Sequence, residues 1–297
     1  MSIFIQQLIN ALTYGSLLGF IALGYTMVYG ILKLINFAHG DLVTFAVFLM
    51  ISLLPVTTAI NPWVTILILF VVIIVVAGVA VMVEALAYRP LRMAPRLSLI
   101  VSALGAGMVI QNLIILIWGT NPKIFPSNVI PESNILIGGV GISYLSLIVL
   151  SLNIVVMLGL YLFMNKTRLG IAIKALSMDY QTAQLMGVNV NRVIIMVFAL
   201  GAILGALGGI LIGATYKSVS FSMGFDYGLK AFIAAIIGGV GSIPGAMLGG
   251  LLIGVAQTLS AGYISSTWAD VFTFMILIAV LIFKPNGLFS EKKAEKV

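Results

Sequence analysis

The stretch NKTRLGIAIKALSMDYQTAQLMGVNVNR, residues 165–192, is the longest polar interruption in a chain that is otherwise almost entirely apolar. Lys166, Arg168, Lys174 and Arg192 make it basic against the single acid Asp179. On both sides lie apolar runs long enough to cross a bilayer as helices, which takes roughly 20 residues. Only 8% of the residues are charged, 62% are hydrophobic, and mean hydropathy is +1.23. Soluble domains carry about 25% charged residues, so this chain could not coat a water-facing surface. The period-2 alternation of a membrane barrel is absent, which leaves an all-α polytopic bundle in a single domain over residues 1–297.

Outward from that stretch, the apolar segments read as spans at about 4–31, 41–54, 63–86, 97–118, 144–164, 193–215, 243–259 and 268–283. A half-helix is expected near 226–242, broken by GGVGSIPG (238–245), where Ser242 can cap a new helix and Pro244 sits in its first turn. The total is about eight or nine crossings. The N-terminus has no basic leader and no clear cleavage site, and reads as a retained first span.

Basic residues collect in YRPLRMAPR (88–96), in 165–192 and in the tail 284–297, so these three segments are expected in the cytoplasm. The net charge of +7 follows from those loops and is no sign of nucleic-acid binding. With no cysteine and one histidine, thiol chemistry and multi-histidine metal sites are excluded, and no cofactor is expected. No phosphate-binding G-x-x-x-x-G-K-[ST] loop occurs, and the acids sit at span ends rather than in an acid–base cluster. The chain therefore reads as a transport subunit and not as an enzyme.

Gly201, Gly205, Gly209 and Gly213 fall on one helical stripe, and Gly241, Gly245 and Gly249 repeat the spacing. Such grooves let helices approach closely. Spacing alone does not separate static packing from sliding during a transport cycle. Candidate pathway residues are the polar groups inside or near spans: Asn112, Asn153, Lys230 and Gln257. Asp226 precedes Lys230 by four residues, so an i,i+4 ion pair is the expected state of both. Contact of Lys230 with a substrate carboxylate is the alternative. His39 and Asp41 fall after the first span beside Lys33, where a solvated or helix-capping role is expected. The scarcity of mid-span acids counts against an ion-coupled transporter.

Within 165–192, Asp179 can cap a short helix through Met186, and Gly187 stands where a helix-ending glycine belongs. A preceding turn from Gly170 to Leu176 completes a helical segment near 170–187. Ile173, Leu176, Tyr180, Ala183 and Met186 give it an apolar, small-residue face. Residue spacing leaves two readings open: docking of a soluble partner, or a helix lying on lipid headgroups.

A resemblance favours docking. Gln181-Thr182-Ala183-x-x-x-Gly187 is similar to the Glu-Ala-Ala-x-x-x-Gly signature of ABC-importer permeases, with Gln and Thr in place of Glu and Ala. The whole stretch, together with ALGYTMVYGILKLINFAHGD (22–41), IGGVGSIPGAMLGGLLIG (237–254) and KPNGLF (284–289), resembles the branched-chain amino acid permease family, closest to its LivH-type member. The resemblance implies a cell inner-membrane permease paired with a second, homologous LivM-like permease. Two cytoplasmic ATPase subunits would power it, and a periplasmic substrate-binding protein would supply it. Arg168, Gly170, Lys174, Asp179, Ala183, Gly187 and Arg192 would lie in the ATPase-docking loop. The implied cargo is branched-chain amino acids, with urea or short amides as the alternative carried by relatives.

Overall fold

The computed structural model describes residues 2–33, 35–54, 61–126, 133–137, 139–285 and 287–289. Expectations for most of the basic tail, 290–297, lie outside the described residues. Eleven α-helices are described: α1 Ser2–Leu32, α2 Ala38–Leu53, α3 Pro62–Val83, α4 Arg96–Trp118, α5 Tyr144–Lys166, α6 Arg168–Met178, α7 Tyr180–Leu185, α8 Val190–Tyr216, α9 Met223–Gly238, α10 Ile243–Tyr263 and α11 Ser266–Phe283. Two small antiparallel pairs sit in the connections, β1 Lys123–Ile124 with β4 Ser218–Val219 and β2 Asn134–Ile137 with β3 Val140–Ser143. The expected all-α bundle is the architecture observed.

Seven of these helices are long and apolar enough to cross a membrane. Of the remaining segments read as a span and a half-helix, α2 and α9 have 16 residues each. At 1.5 Å per residue that is about 24 Å, short of a hydrocarbon core of about 30 Å.

The bundle has two layers. In α1, 83% of the most apolar window is buried, and in α8 67%, against 11–22% in α3, α4, α5 and α11. So α1 and α8 form the central packing and the other four turn apolar faces outward. Trp63, Leu67, Phe70, Leu116, Leu162 and Ile282 are all more than half exposed on that outer belt. A belt so extensive needs lipid or protein against it, and the chain is a multi-pass membrane protein.

Glycines set the inner distances. A Cβ at Gly15 would fall 2.7 Å from Leu251 Cα, so α1 and α10 touch backbone to backbone. Gly201 lies on Gly24 and Val28 of α1, while Gly205, Gly209 and Gly213 receive His39, Val43 and Val47 of α2. One stripe of α8 thus serves two neighbours. Gly245 and Gly249 meet Gly238 and Ala234 of α9. Gly241 does not belong with them, contrary to its spacing. It precedes α10 with φ +97° and no atom within 4 Å of a built Cβ. The tight turn between α9 and α10 requires its left-handed backbone, which an L side chain disfavours.

Local chemistry sets the helix ends. Asn61 accepts a hydrogen bond from Trp63 N at 3.0 Å, with Pro62 as the first residue of α3. Ser242 accepts from Gly245 N at 3.2 Å to start α10. The α3 helix continues into a π turn, Glu84–Tyr88, and a 3-10 turn, Arg89–Leu91, before Pro95 precedes α4. This irregular exit turns Glu84 and Tyr88 inward. Glu84 is fully buried and bonded to Arg89 and Arg92, and Tyr88 donates to Asn36 Oδ1 at 3.0 Å. Arg92 also donates to Asn191, linking the 88–96 loop to the start of α8.

Two of the motifs quoted above meet in space. Leu288 N donates to Ile237 O at 2.8 Å and Phe289 N to Gly238 O at 3.1 Å. Residues 287–289 therefore satisfy carbonyls left open at the C-terminus of α9.

Candidate functional site

The segment after α5 folds as a helical hairpin. Thr167 accepts from Gly170 N at 3.0 Å and donates to Phe163 O at 2.7 Å, closing α5 and opening α6 with one side chain. A Cβ at Gly170 would run into the Phe163 carbonyl and the Met164 backbone, so only glycine permits this sharp return. Lys174 donates to Asn165 Oδ1 at 2.6 Å across the same corner. Asp179 is extended, with φ −151° and ψ 114°, and separates α6 from α7. Its Oδ1 accepts from Gln181 N and Thr182 N at 2.9 and 3.0 Å. Gly187, at φ +85°, ends the turn, with Val188 N donating to Ala183 O at 3.1 Å. Asn189 then caps α8 by accepting from Arg192 N at 3.1 Å.

The apolar face read from spacing is buried only in part. Gly170, Ile173, Leu176 and Ala183 are buried against the bundle. Tyr180 and Met186 are instead exposed: the extended Asp179 breaks the helix, so α7 does not continue the face of α6 and turns only Ala183 back to the bundle. Met178, Leu185 and Met186 are each more than 80% exposed. The hairpin is thus anchored by small and branched residues at its base and presents flexible apolar side chains at its tip. Methionine-rich tips of this kind adapt well to a partner surface.

A second feature is a cavity of about 430 Å³ between α1, α9 and α11. Its charged wall carries Asp226, Lys230 and Asp270. Lys230 Nζ lies 2.8 Å from Asp270 Oδ1, and this pairing replaces the expected one with Asp226. The reason is tertiary: α11 brings Asp270 across from α9, and the sequence spacing holds no sign of that. Gln257 of α10 fixes the pair from behind. Its Nε2 donates to Asp270 Oδ1 at 2.7 Å and to Thr273 Oγ1 at 2.9 Å. Tyr14 and Tyr227 line the same cavity. With Tyr216 they form a triangle of rings whose centroids are 6.3 Å apart on every side. Sequence reasoning missed this cluster, because its members lie on three different helices.

The four candidate pathway residues separate. Lys230 lines the cavity and Gln257 supports it. Asn153 is fully buried at the α5–α1 contact, where its Nδ2 donates to Ser16 O at 2.6 Å. Asn112 lies on the exposed face of α4 with its amide bonded back to Met108 O at 2.8 Å. His39 departs from its expected solvated or capping role. It is 1% exposed, its ring centroid lies 4.5 Å from that of Tyr25, and Gly24 and Gly205 leave the slot it fills. Phe37, not His39 or Asp41, stands at the start of α2, with no side-chain cap.

Comparison with known proteins places this arrangement. The family model described as branched-chain amino acid transport system / permease component matches residues 7–281. The chain belongs to the branched-chain amino acid permease family. Among relatives of this permease, the high-affinity branched-chain amino acid transport system permease protein BraD of Pseudomonas aeruginosa is 40% identical. The match covers 99% of this chain and 98% of BraD. The LivH permease protein of Escherichia coli K12 is 37% identical over the same shares of the two chains. A probable LivH of Methanocaldococcus jannaschii is 29% identical over 94% of this permease and 90% of its own length. The likeness therefore runs from end to end, with both the hairpin and the cavity inside it.

Proposed function

We propose that this permease is the membrane-spanning subunit of an ABC importer carrying branched-chain amino acids inward across the bacterial inner membrane. A second, homologous permease completes the membrane unit. Two cytoplasmic ATPase subunits supply the energy, and a periplasmic binding protein delivers the substrate. The α6–α7 hairpin is the ATPase-docking element, and the C-terminus lies on the same, cytoplasmic side. The observation that carries the docking reading is the hairpin's exposed tip of Met178, Leu185 and Met186 on a base fixed by Thr167, Gly170 and Asp179. A helix resting on lipid would need its basic residues along one exposed edge. Here Lys174 is instead folded back onto Asn165.

The test is ATP-dependent leucine uptake by the complete assembly in proteoliposomes. Gly187→Trp adds bulk beside the tip and should abolish uptake while membrane insertion survives. Normal uptake by that variant would refute docking. Proton-driven uptake by the chain without ATPase subunits would establish a secondary transporter instead. Uptake of urea or short amides but not leucine would reassign the cargo.

A further inference from the structure

We infer that the cavity between α1, α9 and α11 is a head-group site for a free α-amino acid, with Asp226 taking the ammonium and Lys230 the carboxylate. This inference rests on the importer reading above and locates the substrate within the chain. Asp226 and Lys230 are one helical turn apart on α9, so they share a face with Cβ atoms about 5–6 Å apart. Both open onto the cavity. Opposite charges at that spacing match the ammonium and carboxylate of a zwitterion lying between them. Asp226 makes no ion pair among the described residues, and as a first-turn acid of α9 it is favoured by the helix dipole.

Lys230 is already paired, and that pairing suits transient binding. It is 23% exposed and Asp270 is 58% exposed, so the bond between them is wet and weakly held. An incoming carboxylate can share the ammonium of Lys230 without stranding Asp270, because Gln257 Nε2 remains bonded to it. Two members of the aromatic triangle, Tyr14 and Tyr227, supply the second half of the ammonium site. Both line the cavity, and an ammonium within about 6 Å of a ring face is attracted by its quadrupole. Leu229 and Ile233 give the remaining wall an apolar surface for the side chain. The volume of about 430 Å³ lies in the usual range for small-molecule sites, about 300–1,000 Å³. A neutral amide would leave both charges unused.

The chain contains no cysteine, so a single reporter can be placed on the cavity wall. Phe274 lines the cavity and is 42% exposed, so Phe274→Cys in the complete assembly can be labelled with a water-soluble maleimide and read on this chain by mass spectrometry. Leucine should slow labelling. Isoamylamine, which lacks the carboxylate, and 4-methylpentanoate, which lacks the ammonium, should protect at least tenfold more weakly. In the Asp226→Asn background, leucine should lose its advantage over 4-methylpentanoate. In the Lys230→Met background it should lose its advantage over isoamylamine. Equal protection by all three compounds in the parent assembly would overturn the site. So would an absence of protection in an assembly that takes up leucine. Protection without ATP-driven uptake would leave the site standing and refute the importer reading.

Discussion

Gly24 of α1 lies against the imidazole of His39 with no room for a methyl group between them. A Cβ built on Gly24 would fall 2.5 Å from His39 Nε2 and 2.7 Å from the carbonyl oxygen of Gly201. Three helices, α1, α2 and α8, therefore converge on one buried histidine. Gly24→Ala should destabilise the protein by about 1–3 kcal/mol through overpacking. His39→Ala should rescue it only in part, since the Gly201 carbonyl stays in place. Gly78→Ala is the matched control. Nothing lies within 4 Å of its Cβ, so the change should be neutral or stabilise by about 0.5–1 kcal/mol. Thermal unfolding of the detergent-solubilised protein checks all three.

The left-handed backbone of Gly187 predicts an order of tolerance. Its built Cβ meets nothing within 4 Å, so the penalty of substitution is conformational and not steric. Gly187→Asn should be tolerated best. Gly187→Ala should cost about 1 kcal/mol, and the β-branched Gly187→Val more. The rate of limited proteolysis within 179–190 reports this order directly.

Asp179 holds the first amides of α7. Removing the carboxylate in Asp179→Ala should cost about 1 kcal/mol of local helix stability, or roughly a fivefold rise in exchange at the Gln181 and Thr182 amides. Asp179→Ser should restore most of the protection, because its hydroxyl can still accept. Hydrogen–deuterium exchange measured at those two amides decides it, with the α8 amides as the internal reference.

The ion pair between α9 and α11 predicts a specific coupling. A double-mutant cycle on Lys230→Met and Asp270→Asn should give about 0.5 kcal/mol, the scale of a partly exposed pair. The same cycle on Lys230→Met and Asp226→Asn should give almost none in the absence of substrate. Equal coupling in both cycles would restore the intrahelical pairing expected from spacing. Melting temperatures of the four variants in each cycle supply the numbers.

Much of this protein follows from the chain alone. Low charge, long apolar runs and basic loops define a polytopic helical membrane protein, because unsatisfied backbone is too costly in lipid for other open structures. Caps are equally local: Asn61, Ser242 and Asp179 act on amides two or three residues away. The hairpin was therefore legible down to its capping aspartate and its terminal glycine. Tertiary structure decided what lay across helices. It set Asp270 rather than Asp226 beside Lys230, assembled three tyrosines from α1, α8 and α9, and sealed His39 between Gly24 and Gly205. It also drew the 287–289 segment onto the end of α9. Periodicity reports which residues share a face of one helix. Which helix that face meets is set by packing between segments far apart in sequence, and in so uniformly apolar a chain the hydrophobic pattern carries almost no record of it.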